Sequence, residues 1–333
     1  MAERNFRELV GAKWTEGKFV SVGLDTRWKS IPEWFRRSTG DDPVWTTVRY
    51  NERIVEATSD IVCCYKPNSA FYEAQGINGV TALRQTFEVI RRLAPDAPVI
   101  YDAKRGDIGD TLEAYAEAAF EYFGADALTV HPYLGAEALK PVLDRKDKGI
   151  FVLCRTSNKG AEEFQDLPVA IDNEEGRFLA EALEIEPKMY GYVAKLYQHV
   201  AYRVAKHWNK NGNCALVVGA TYPDELREVR GLVDDIPILI PGIGAQGGDV
   251  EKTVSAGKDS RGQGMIINSS RGIIFASKGE DFAEAARRET EKLRNLINQY
   301  RSDGLPCPNC GSIMVQCGAS RKCMNCGQTN GCS

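Results

Sequence analysis

No stretch of the chain approaches the roughly 20 consecutive apolar residues that a helix needs to cross a bilayer. Its strongly apolar segments are short, as at Ile236 to Ile240, so a membrane-spanning protein is not expected. A surplus of positive charge is also missing: 42 Lys and Arg stand against 46 Asp and Glu, a formal net charge of -4. General affinity for nucleic acid rests on basic side chains neutralising phosphates, so such a partner is not expected on composition. The opening residues, MAERNFRELVGAKW, interleave charges with isolated apolar residues. They lack the continuous apolar core of a secretory signal, and a cytoplasmic location is expected. Cysteine is scarce over most of the chain. Only Cys63, Cys64, Cys154 and Cys214 precede the last 27 residues, each within an apolar run. A free thiol there behaves as a small buried hydrophobe, so a packing role is expected.

What is present is a repeated alternation. Eight short runs rich in β-branched and apolar residues recur: FVSVGLD from Phe19, DIVCCYK from Asp60, PVIYDAK from Pro98, ADALTVH from Ala125, GIFVLCR from Gly149, CALVVGA from Cys214, IPILIPG from Ile236 and GMIINSS from Gly264. Nearly continuous apolar runs of this length indicate strands buried on both faces, as in a parallel sheet. Helical patterns fill most intervals; after the third run, Leu112, Tyr115, Ala116, Ala119 and Phe123 recur at helix spacing. Eight such units in about 250 residues predict a (β/α)8 TIM barrel. An open doubly wound sheet would place a glycine-rich phosphate turn after the first strand, and VGLDTRW is not one. Residues 156–213 are too long for one crossover and imply an insertion, with AEEFQDLPVAIDNEEG expected as an exposed loop. Val193 to Trp208 carry an apolar helical stripe, read as packing against the barrel. DFAEAARRETEKLRNLINQYRS is expected to be the closing helix, followed by the linker SDGLP. The predicted division is a barrel over residues 1–304 and a tail over 305–333.

Barrels of this type gather reacting groups at the C-terminal ends of their strands. Asp25 ends the first predicted strand, Lys66 the second, Asp102 and Lys104 the third, and His131 the fourth. Asp102 and Lys104, two apart, point to one face of a strand, with Asp107 in the following turn. One such residue could be a rim ion pair, but several converging charges argue for function, because burying charge is costly. A second constellation suits phosphate. The turns PGIGAQGGD after strand seven and NSSRG after strand eight offer backbone N–H groups, the Gln246 amide and the Arg271 guanidinium. The tail holds Cys307-Pro-Asn-Cys310-Gly and Cys323-Met-Asn-Cys326-Gly, two C-x2-C knuckles 12 residues apart. That spacing predicts a small zinc ribbon with Cys307, Cys310, Cys323 and Cys326 as ligands, Cys317 and Cys332 standing as substitutes, and a closed, structural site.

The string YDAKRGDIGDT from Tyr101 to Thr111 carries the pattern D-x-K-x-x-D-I-x-x-T. With LDTR, YKPNSAFYEAQG, HPYLG, VLCRTSN, LVVGATYP, PGIGAQGGD and NSSRG in the same order, the chain resembles the orotidine 5'-phosphate decarboxylase family, most closely its longer bacterial branch, over roughly residues 15 to 295. The resemblance implies decarboxylation of orotidine 5'-monophosphate to UMP and CO2, the last step of pyrimidine nucleotide synthesis, with no cofactor for catalysis. It implies a charged network of Lys66, Asp102, Lys104 and Asp107, with Lys104 as proton donor. It implies a homodimer in which Asp107 and Ile108 reach into the other subunit's site and Thr111 helps across the interface. Asp25 would bind ribose hydroxyls, Ser157 the pyrimidine edge, and Gln246 and Arg271 the phosphate; His131 is left out of the catalytic set. Two other readings stand beside it. One is a Mg2+-dependent sugar-phosphate lyase or synthase sharing the Asp-x-Lys-x-x-Asp strand. The other is a non-catalytic barrel whose ribbon binds a protein partner.

Overall fold

The computed structural model describes residues 4–171, 173–183, 192–243 and 249–301, and in the tail 308–310, 314–317, 320–323 and 326–330. Its centre is an eight-stranded parallel sheet: β1 (Val20–Gly23), β2 (Cys64–Lys66), β3 (Ile100–Arg105), β4 (Ala127–Val130), β5 (Gly149–Arg155), β6 (Cys214–Val218), β7 (Ile238–Pro241) and β8 (Met265–Ser269). Each falls on one of the eight apolar runs, β3 extending one residue past its run. The strands neighbour one another in the order β2-β1-β8-β7-β6-β5-β4-β3. Parallel bridges Tyr65↔Val99 and Asn68↔Asp102 bring the two ends together and close the barrel. Every residue of β1, β2, β4 and β6 is buried, the reason these strands read as apolar runs rather than alternations.

Helices pack outside the strands and begin where the sequence supplies caps. Asp42 accepts a hydrogen bond from Trp45 N and Pro43 opens the helix Pro43–Thr58, a favoured start because proline fixes φ and has no N–H to orphan. The closing helix, Phe282–Arg301, buries Phe282, Ala286, Thr290, Leu293 and Ile297, the stripe expected of a helix on a core. Cys63, Cys64, Cys154 and Cys214 are buried and unpaired; burial pushes the thiols of Cys154 and Cys214 up to about 12, so they remain neutral packing groups.

Three features depart from the pattern read along the chain. The insertion after β5 is not a plain exposed loop: Pro168–Ile171 pairs antiparallel with Tyr192–Lys195, and the helix Asn173–Leu183 lies between them. Burying Leu179 in the core and setting Phe178 5.3 Å from Tyr202 is what orders it. Val193 therefore belongs to a strand, and the helical stripe begins at Leu196 and widens into a π-turn over Val204–Trp208. The first helix, Phe6–Thr15, had no counterpart in the strand count. Asn5 caps it by accepting from Arg7 N and Glu8 N. Phe6 meets Phe151 edge-on at 5.4 Å, and Trp14 Nε1 donates to Met265 O at 2.8 Å. Gly149, which Phe6 touches, and Met265 both begin strands, so this helix covers the N-terminal end of the barrel. The C-terminal end is left for chemistry. In the tail, Met314–Cys317, Ser320–Cys323 and Thr329–Asn330 form a three-stranded antiparallel sheet.

Candidate active site

At the C-terminal mouth, Asp25 follows β1, Lys66 ends β2 and Asp102 and Lys104 lie in the last part of β3, and the closed barrel forces these charges together. Asp102 is the hub. Its Oδ2 accepts from Lys66 Nζ at 2.8 Å and Asn68 Nδ2 at 3.2 Å. Its Oδ1 accepts from Lys104 Nζ at 2.6 Å and Thr129 Oγ1 at 3.0 Å. Asp25 Oδ1 stands 3.9 Å from Lys66 Nζ; that oxygen is buried and has no hydrogen-bond partner among the described residues. Lys66 is 4% exposed and Asp102 8%, whereas the Lys104 side chain is 48% exposed. The buried half of the array is thus a fixed ion pair, and the open half presents an ammonium to the mouth.

Electrostatics follow the same division. Burial alone would raise the Asp102 pKa, but the charges of Lys66 and Lys104 and their hydrogen bonds outweigh it and hold the carboxyl below the usual carboxylate range. Burial would likewise lower Lys66, yet Asp102 and Asp25 pull it above the ordinary lysine value. At neutral pH the hub is a carboxylate between two ammonium groups.

The other residues expected at the site are distributed around this array. Asp107 does not join it: its Oδ1 accepts from Ile108 N at 2.8 Å, and it has no ion pair among the described residues. Ile108 is 62% exposed, and Thr111 is exposed in the first turn of the helix Gly109–Glu117. Ser157 follows β5 and is pressed against Gly219 beyond β6, where a Cβ would come within 2.7 Å of the Ser157 Cβ; only glycine permits that approach. Arg271 is exposed at the start of the short helix Arg271–Ile274 beyond β8, with no ion pair among the described residues. Gln246 lies outside the described residues. His131 hydrogen-bonds through its backbone N to Arg105 O and lays its ring against Gly106, a packing role under the turn that carries Asp107. Sequence reasoning missed Asn68 and Thr129, both hydrogen-bonded to Asp102. The signals were an Asn directly before a helix and the only hydroxyl in the run ALTV.

In the tail, the sulfurs of Cys310, Cys323 and Cys326 all lie within 4.8 Å of one another. Cys310 Sγ and Cys323 Sγ are 3.5 Å apart, and Asn309 Nδ2 donates to Cys326 Sγ at 3.7 Å. Cys307 lies outside the described residues.

Fold and site together define a (β/α)8-barrel enzyme with a lysine–carboxylate array at its C-terminal mouth. The sequence model of the orotidine 5'-phosphate decarboxylase / HUMPS family matches residues 19–288. The chain is 44% identical over 296 residues to the orotidine 5'-phosphate decarboxylase of Janthinobacterium sp. (strain Marseille), covering 89% of this chain and 98% of that relative. It is 48% identical over 248 residues to that of Azoarcus sp. (strain BH72), covering 74% and 83%. Among solved structures, a putative orotidine-monophosphate decarboxylase from Toxoplasma gondii superposes with a TM-score of 0.70 at 35% identity, covering 90% of this chain and 99% of that one. Leishmania donovani OMP decarboxylase does so with 0.67 at 33%, covering 88% and 98%. This chain belongs to the orotidine 5'-phosphate decarboxylase family.

Proposed function

We propose that the protein decarboxylates orotidine 5'-monophosphate to UMP and CO2, closing pyrimidine nucleotide synthesis, and that Lys104 is its proton donor. The observation that carries this is Asp102 held between a buried Lys66 and an exposed Lys104. As the bond from C6 to the carboxylate breaks, its electron pair stays on C6. No conjugated carbonyl absorbs that charge readily, so a preorganised cation must. Lys104 faces the mouth, stabilises the carbanion and delivers a proton from Nζ to C6. Asp102 lies against the departing carboxylate, and Lys66 holds Asp102. The reading assigns no metal or organic cofactor to the reaction. The unpartnered Oδ1 of Asp25 suits a ribose hydroxyl, Ser157 the pyrimidine edge, and Arg271 with Gln246 the phosphate. The failure of Asp107 to meet Lys104 within one chain, and the exposed Ile108 and Thr111 beside it, support a homodimer in which these residues complete the partner's site. The test is loss of orotidine 5'-monophosphate absorbance with chelator-treated protein. Wild type is expected to turn over, and Lys104→Ala to fall by about 100- to 1,000-fold with its fold intact, the cost of removing one group that stabilises the transition state. Near-normal activity in the variant would remove Lys104 from the mechanism.

The tail supports a separate reading for residues 305–333: a zinc ribbon. Tetrahedral zinc with Zn–S bonds of about 2.3 Å sets its sulfurs roughly 3.8 Å apart, and the cluster of Cys310, Cys323 and Cys326 fits such a cage. Cys307 would supply the fourth thiolate. Asn309 then donates to a thiolate, the kind of outer contact that orients a ligand. An all-thiolate cage leaves no open position, so the zinc is structural. The family match ends at residue 288, before this segment. Zinc measured on purified protein is expected at one equivalent per chain, lost in Cys310→Ser while barrel turnover persists. Protein free of zinc with all thiols titratable would refute the site.

A further inference from the structure

The hydroxyl of Thr129 sits where the barrel's own ladder fails. Pairing between β3 and β4 runs Ile100↔Ala127 and Tyr101↔Leu128, then resumes only at Arg105↔Val130. Three residues, Asp102, Ala103 and Lys104, therefore stand opposite Thr129 alone. Such an excess is a bulge, a device that re-aims side chains. Here it carries Lys104 into the left-handed region, with φ of 49°, a conformation costly for any residue with a Cβ. Something must hold it there, and the backbone ladder does not.

We propose that Thr129 is the positioning residue of the decarboxylation, one hydroxyl that fixes both the backbone of the proton donor and the carboxylate beside it. Lys104 N donates to Thr129 Oγ1 at 2.9 Å, in place of a backbone acceptor. Thr129 Oγ1 donates to Asp102 Oδ1 at 3.0 Å. The direction of both bonds follows from proton counting: an amide N–H only donates, a carboxylate only accepts, and a hydroxyl has a single proton. Thr129 is 1% exposed, so water does not compete for either bond.

The inference rests on the decarboxylase reading and deepens it. When Lys104 passes its proton from Nζ to C6, the ammonium becomes a neutral amine and its attraction for Asp102 Oδ1 weakens. The proton of Thr129 remains on that oxygen while Lys66 and Asn68 hold the other. The carboxylate therefore stays in place through the step, and Lys104 stays in its strained backbone, ready to be reprotonated.

The experiment compares Thr129→Val, which keeps the shape without the hydroxyl, with Thr129→Ser, which keeps the hydroxyl without the methyl. Lys104→Ala is the reference, orotidine 5'-monophosphate the substrate, and thermal unfolding the check on folding. Displacing a catalytic group by about 1 Å costs about 100-fold. We expect Thr129→Val to lose that much in kcat with KM changed by less than about threefold, and Thr129→Ser to remain near wild type. Should Val not fold at this site, Thr129→Cys, of similar volume and with a weak donor, must take its place as the slow variant. Wild-type kcat in Thr129→Val, or equal losses in the Ser and Val variants, would overturn the inference. A fully active Lys104→Ala would instead overturn the decarboxylase mechanism on which it stands, so the two failures are distinguishable.

Discussion

Replacing Asp102 with Asn keeps the shape of the hub and removes its charge, and the consequences can be worked through from the contacts. Lys66 Nζ would lose a carboxylate at 2.8 Å and be left with Asp25 at 3.9 Å, while remaining almost wholly buried. Breaking a buried pair by removing one partner costs about 3 to 5 kcal/mol, because the other charge stays desolvated. At about 2 to 4 °C per kcal/mol for a domain of this size, Asp102→Asn should melt about 6 to 20 °C below wild type at pH 7. Turnover should be lost as well. The pH dependence has a definite sign. The folded-state pKa of Asp102 is depressed, so its contribution is fully present above the unfolded carboxylate value of about 3.9 and fades as pH falls below that toward the folded value. The folded-state pKa of Lys66 is raised, so its share is complete below about 10.4 and disappears as pH climbs through the higher folded value. The gap between wild type and variant should therefore be wide and flat between about pH 5 and 9 and narrow in acid. Calorimetry of both proteins across that range is the assay. A variant melting within 1 °C of wild type at pH 7 would show that the pair is not desolvated and refute the argument.

Two further outcomes follow from the rim and the floor of the barrel. Arg271→Ala should lower kcat/KM by about 10- to 100-fold, the loss of a charge-assisted hydrogen bond, with no further loss on orotidine lacking the phosphate; equal losses on both substrates would show that Arg271 does not contact phosphate. Gly149→Ala places a Cβ in the ring of Phe6, and overpacking of this kind costs about 1 to 3 kcal/mol. Chemical denaturation should show that loss with kcat unchanged, since the contact is at the end of the barrel away from the mouth; unaltered stability would contradict the packing of the first helix.

The amino-acid sequence by itself determined the barrel strands, the closing helix and the identity of the charges at the mouth. Strands buried on both faces must be apolar throughout, and a charge that ends such a run can lie only at its rim. Asp25, Lys66, Asp102 and Lys104 were legible for that reason, and the clustering of Cys310, Cys323 and Cys326 because of the paired C-x2-C spacing. The presence of the insertion was legible from the length of residues 156–213, but its structure was not, since its two strands lie 20 residues apart and only pairing reveals them. Nor was the helix Phe6–Thr15, whose apolar side has meaning only once the strands that begin at Gly149 and Met265 lie in one closed barrel beneath it. The tertiary structure alone decided how Lys104 comes to face Asp102. A regular strand would place both on one face through simple alternation, whereas the fold uses a bulge opposite Thr129 and a left-handed backbone at Lys104. It also decided that Asn68 and Thr129 complete the Asp102 carboxylate. Asn68 is brought in by closure of the barrel and Thr129 by the pairing of β3 with β4, 34 and 27 residues along the chain from Asp102, and hydrogen bonds across such separations exist only after the chain has folded.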